Sequence, residues 1–177
     1  MVPGGYTLDV TPIPTAVNYY AARVNVRQTS AITAGNMVWA LFNPASATQS
    51  AYVEDINLAA SFEATTIGGV TYRYDLLRFG GADPTGGSSV SVVKMDNTNP
   101  DSLVVARFFS AGLTEGSLVK ETAFAVFGVP GTQGAIRNYR NNQVPIVLAP
   151  NEGLGFALNN TTASGMVLSG GVKWSIR

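Results

Sequence analysis

Apolar and polar residues alternate along much of this chain with the two-residue period of a β-strand. The last residues are the clearest case: Val172, Trp174 and Ile176 interleave with Lys173, Ser175 and Arg177. Ala22, Val24 and Val26 interleave with Arg23, Asn25 and Arg27. Tyr72, Tyr74 and Leu76 alternate with Thr71, Arg73 and Asp75, and Leu58, Ala60 and Phe62 with Asn57, Ala59, Ser61 and Glu63. Shorter apolar runs fall at residues 37–42, 90–94, 103–109, 124–127, 146–148, 155–158 and 166–168. Turn dipeptides punctuate them, among them Asn43-Pro44, Gly68-Gly69, Gly80-Gly81, Asp83-Pro84, Gly86-Gly87, Asn99-Pro100, Pro130-Gly131, Pro150-Asn151, Asn159-Asn160 and Gly170-Gly171. Residues 46–56 carry a helical alternative of one or two turns. Many short strands at near-regular spacing predict an all-β sandwich or barrel of about eight to ten strands.

The first fourteen residues stand apart. Pro3, Gly4, Gly5, Pro12 and Pro14 are incompatible with a regular central strand, yet Tyr6, Leu8, Val10 and Ile13 are apolar and need cover. Residues 1–14 are therefore expected to form an extended N-terminal arm, and residues 15–177 a single β domain. Two placements cover the arm: on a neighbouring subunit, or wrapped over its own barrel. Phe108 and Phe109 pose a similar question. Adjacent residues on a strand face opposite ways, so one ring fills the core and the other needs a subunit contact or a covering loop.

Composition narrows the function. The 177 residues include no histidine and no cysteine. That removes the commonest general base, both soft metal ligands, every cysteine nucleophile and every Ser-His-Asp triad. Lys+Arg and Asp+Glu are 11 each, and charged residues make up 12%, about half the usual ~25%. A neutral, charge-poor surface favours packing against copies of itself or against a larger particle, rather than life as a free monomer. Nucleic acid is not expected as a partner, because no basic stripe exists to neutralise phosphates. No apolar run reaches the ~18 residues of a membrane span. The segment MVPGGYTLDV lacks a basic region followed by an apolar stretch, so no secretory signal is expected, and synthesis in a cytoplasm is.

Candidate chemistry is sparse. A glycosidase needs two carboxylates facing one cleft, but the adjacent Glu54 and Asp55 are expected to point to opposite faces of a strand. Residues 96–101, Asp-Asn-Thr-Asn-Pro-Asp, concentrate oxygen ligands of the kind Ca²⁺ prefers, and equally make an ordinary turn. The glycine pairs at 80–81 and 86–87 match no phosphate-binding pattern. Trp39, Tyr52, Tyr72 and Tyr74 could form a sugar-binding platform, but aromatics at period two more often fill a core. No cofactor, metal or catalytic residue is assigned.

Two segments carry a resemblance. Residues 92–100, VVKMDNTNP, follow a small-residue turn, and residues 145–158, PIVLAPNEGLGFAL, precede the final Trp-bearing strand. This order resembles the small jelly-roll virion proteins of tailed bacteriophages, in which K-x-D-x-x-N-P and L-x-P-x-E-G-x-x-[LF] elements recur. It covers residues 70–177. The Pro-x-Glu-Gly turn also recurs in trimeric jelly rolls of the tumour-necrosis-factor type. The resemblance implies a single jelly-roll domain and a non-enzymatic structural role in a virion. The expected role is a capsid decoration (cement) protein, a homotrimer on the outer capsid surface that clamps neighbouring major capsid subunits. Tyr6, Leu8, Val10, Ile13, Phe108 and Phe109 are the expected partner contacts. Other readings stay open: a tail, baseplate or fibre head domain binding a host glycan; a small single-jelly-roll major capsid protein; and a polysaccharide-active enzyme or carbohydrate-binding module.

Overall fold

The computed structural model describes residues 17–27, 31–62, 71–113, 119–120, 125–130, 135–140, 144–158 and 166–177. Among them there is no helix. Thirteen strands follow one another: β1 (Asn18–Arg27), β2 (Met37–Asn43), β3 (Ala51–Phe62), β4 (Thr71–Gly80), β5 (Ser88–Val90), β6 (Val92–Lys94), β7 (Val105–Leu113), β8 (Val119–Lys120), β9 (Ala125–Pro130), β10 (Ala135–Arg140), β11 (Ile146–Leu148), β12 (Glu152–Leu158) and β13 (Met166–Ile176).

They form two antiparallel sheets. The first has six strands in the order β10-β3-β13-β1-β6, with β11 also pairing β3; the second has seven, β5-β7-β2-β12-β4-β8, with β9 also pairing β4. The pairings are nested. β1 pairs β13, β2 pairs β12, β3 pairs β10 and β11, and β4 pairs β8 and β9. The chain thus behaves as one long hairpin whose two halves cross between the sheets together. Strands β5, β6 and β7 are an insertion in that scheme. β5 extends the second sheet and β6 the first, so the chain changes sheets at Ser91.

The alternation read from the sequence explains which side chains lie between the sheets. Tyr20, Val24, Val53, Ile56, Val172 and Trp174 of the first sheet share one buried cluster with Trp39, Leu41, Leu76, Leu154 and Phe156 of the second. Tyr20 stacks on Trp174 with ring centroids 6.0 Å apart, and Trp39 on Phe156 at 5.2 Å. Burial of the large apolar side chains, at roughly 1.5–3 kcal/mol each, is the main stabilising term.

A second buried cluster comes from the second sheet alone. Met37, Ala40, Phe42, Leu77, Phe79, Phe109 and Ala157 occupy positions out of step with the core-facing residues. Strands covered on both faces read as unbroken apolar runs, and every residue of β2 is buried. β12 fits this layer by carrying glycine at alternate positions. A Cβ at Gly153 would collide with the Phe79 ring, and one at Gly155 with the Met37 sulfur. The Phe79 ring, laid over Gly153, stacks nearly parallel to Phe42 at 6.0 Å.

The corner joining the sheets is built from polar residues. The Ala149 carbonyl accepts from the Glu152 N–H at 3.1 Å, with Pro150 and Asn151 between them and Asn151 at φ 70°. This is a type II arrangement, with proline where φ is fixed and asparagine where it is positive. The Glu152 carboxylate accepts from the Ala149 N–H at 2.9 Å, closing the turn. Buried Asn43 ties it to the β2–β3 corner: its amide donates to the carbonyls of Gln49 and Leu148, both at 3.0 Å, and its own carbonyl accepts from the Asn151 N–H at 2.8 Å.

Several local expectations are corrected. Gly170 and Gly171 do not form a turn; they lie inside β13, which runs unbroken from Met166 to Ile176. Residues 46–56 hold no helix. The Ala47 N–H donates to the Pro44 carbonyl in a turn, and β3 starts at Ala51, where partners on both sides override a weak helical pattern. Residues 90–94 divide between two strands in different sheets. The strand count exceeds eight to ten because the β5–β7 insertion and the split partners of β3 and β4 add short pieces. Glu54 and Asp55 do not face opposite ways. The β3–β13 register shifts between Lys173 and Trp174, so a bulge inserts one residue on β3. Val53 and Ile56 both reach the core, and both carboxylates stay on the outer face.

Candidate functional site

The surface most distinct from the rest is the outer face of the first sheet with its β6 edge. β1 buries Tyr20, Ala22, Val24 and Val26 and turns Tyr19, Arg23, Asn25 and Arg27 outward. β6 pairs β1 through Val92, Val93 and Lys94, and the ladder continues with the Met95 N–H donating to the Tyr19 carbonyl at 2.9 Å. Among the described residues nothing pairs with the other side of β6. Val93 and Met95 are each 55% exposed and Tyr19 41%, so three large apolar side chains line this edge. Leu103, 58% exposed, lies at the adjoining end of the sandwich beside Asn18, Tyr20 and Ile176.

The turn after β6 is self-contained. One Asp96 carboxylate oxygen accepts from the backbone N–H and the hydroxyl of Thr98, at 2.9 and 2.8 Å, and these bonds hold its pKa below the usual carboxylate range. Asp101 is held low by the Lys94 ammonium at 2.6 Å. The Asn99 amide donates to the Tyr19 carbonyl at 3.2 Å, and the Tyr20 hydroxyl to the Pro100 carbonyl at 2.9 Å. The turn therefore fixes the β6 edge against β1. One oxygen of each carboxylate is engaged by a protein donor.

Inward from β6, the same face is concave. A hollow of about 550 Å³ crosses β1, β13 and β3, with Ala21, Gly170 and Gly171 as a small-residue floor and Arg23, Lys173, Asp55, Asn57 and Val93 around it. Farther along, Ser175 and Arg177 both donate to Glu54 Oε1, at 2.8 and 3.0 Å, and the Arg177 guanidinium sits over the Tyr52 ring at 5.0 Å.

The remaining sequence candidates fall as follows. Tyr6, Leu8, Val10 and Ile13, with the rest of the 1–14 arm, lie outside the described residues, as do the turn residues Asn159 to Thr162. Phe108 and Phe109 do point opposite ways: Phe108 packs, half-buried, against the inter-sheet core, and Phe109 is buried in the outer cluster of the second sheet, where Gly87 lies against its ring. Trp39 is core. Tyr52 is half-buried on the outer face, and Tyr72 and Tyr74 belong to β4. The exposed Val93, Met95 and Tyr19 were missed as a group. The signal was present in VVKM, where apolar residues run through a segment too short to be buried on both faces.

No family model matches this chain, and neither a curated protein nor a solved structure matches it.

Proposed function

We propose that this chain is a non-enzymatic structural protein of a virus particle, a decoration protein that binds the outside of an assembled shell as a homotrimer and clamps neighbouring major capsid subunits. On this reading the fold is a jelly roll. The nested pairing supports that: of eight strand positions, β1 to β4 alternate between the sheets, β8 with β9 turns back beside β4 in the second sheet, and β10 with β11, β12 and β13 alternate again, the order two Greek keys require.

The observation that carries the functional reading is the apolar β6 edge in a chain with so little charge. Three side chains about half exposed represent roughly 2–4 kcal/mol of burial before association costs. A single such contact is weak, on the millimolar scale. Repeated on a trimer and across a lattice it becomes firm attachment through effective concentration. The three-residue β6 offers few backbone groups, so side-chain burial rather than strand addition drives the contact. The arm residues Tyr6, Leu8, Val10 and Ile13 add a second clamp in this proposal, and Phe108 a lesser contact.

Light scattering of the purified chain, with and without shells from the same source, tests this. A mass of three times the 18.5 kDa chain and co-sedimentation with shells support the proposal. A monomer that ignores shells rejects it.

A further inference from the structure

The hollow on the first sheet has features that the shell-binding proposal does not use, and it stands independently of that proposal. Two cross-strand rows build it. Val93, Ala21, Lys173 and Asp55 lie side by side across β6, β1, β13 and β3, and Arg23, Gly171 and Asn57 form the next row. Ala21 and Gly171 leave the floor low where larger residues would fill it. Arg23 and Lys173 therefore stand on adjacent strands in diagonal register, about 7–8 Å apart at their bases. Both are exposed, and neither has an ion pair or hydrogen bond among the described residues. This contrasts with Lys94, Arg107 and Arg177, each of which has a carboxylate partner.

Lys173 lies in register with Asp55 on one side, without an ion pair to it, and diagonal to Arg23 on the other, and an anion placed between the two cations would bond to both. The rest of the rim differs: Asn57 offers an amide, and Val93 closes one end with an apolar surface. A ligand that satisfies both walls carries an acidic group together with hydroxyls and a C–H face. A peptide strand does not fit, because β1, β13 and β3 each have neighbours on both sides and offer no free backbone edge. A uniformly acidic peptide brings no hydroxyls for Asn57. Nucleic acid finds only two cations here, too few for phosphate-driven binding. The volume of about 550 Å³ suits a small ligand. We propose that this hollow binds an acidic saccharide, with its carboxylate between Arg23 and Lys173 and its hydroxyls against Asn57.

Calorimetric titration of the full chain tests this with trigalacturonic acid and sialyllactose as probes, and with maltotriose and triglutamate as comparisons. Binding of either carboxylated saccharide is expected, with maltotriose and triglutamate at least about tenfold weaker, a difference the loss of one charge-assisted contact would produce. The uronate and sialate probes distinguish which acidic sugar is preferred. Arg23→Gln and Lys173→Gln lie on the exposed face and should melt like the parent, yet each should lose about tenfold in affinity. The proposal is overturned if neither saccharide binds, if triglutamate binds as well, or if both variants retain full affinity.

Discussion

Asn43 shows how much one buried polar side chain can organise. It is 1% exposed, and its side-chain amide holds the buried Leu148 carbonyl and the partly buried Gln49 carbonyl. Asn43→Leu removes both donors while keeping bulk. It should destabilise the protein by about 1–3 kcal/mol, since the buried Leu148 acceptor loses its partner, and urea denaturation of the variant checks this. Tyr20 makes a pH-dependent contribution. Burial raises its pKa above the ordinary 10.0; the nearby Lys94 opposes the shift and Asp101 adds to it. Because the folded value lies above the unfolded one, the stabilisation is complete below pH 10 and is lost as pH rises through the folded value. Tyr20→Phe should cost about 0.5–1.5 kcal/mol at neutral pH, for the hydrogen bond to Pro100. It should also flatten the alkaline fall in stability relative to the parent, as melting temperatures measured from pH 8 upward would show.

At the scale of elements, the strands themselves were legible and their two-sidedness was not. The alternation in β1 and at the end of β13 marks a half-buried strand directly, and both lie where the pattern puts them. The glycines of β12 are a different matter. In the sequence Gly153 belongs to the Pro-x-Glu-Gly turn and Gly155 opens the short apolar run 155–158, whereas in the fold both are seats, for Phe79 and Met37. Gly153→Ala should therefore cost about 1–3 kcal/mol, because the Phe79 ring is held by Phe42 and cannot retreat. Gly155→Ala should cost less, since a thioether side chain re-rotates more easily. Thermal denaturation of the two variants side by side checks the order, and equal losses would contradict it. Gly170-Gly171 and Glu54-Asp55 were misread for a related reason. A dipeptide does not disclose whether its neighbours will pair through it or bulge around it; that depends on strands far away in the chain.

For the molecule as a whole, the all-β class and two-sheet layering were legible because strand period and turn spacing are local signals. The nested pairing was not, since it depends on which strands meet across long stretches of chain, more than a hundred residues for β1 with β13 and β2 with β12. The candidate surfaces were the least legible. Val93 and Met95 are exposed because β6 is an edge strand, and the Arg23–Lys173 pair exists because two distant strands lie in one register. Neither fact is written at the positions themselves. Together they give the molecule an apolar margin beside a hollow bearing two unpaired cations, in a chain of zero net charge. The attachment proposal depends on that margin. Its most direct test is co-sedimentation with assembled shells of the parent chain and of a Val93→Lys/Met95→Lys double variant, after both are shown to melt alike. The parent should pellet with shells and the double variant should remain in the supernatant. Equal pelleting of the two, or a parent that never pellets, would contradict the proposed role of the β6 edge.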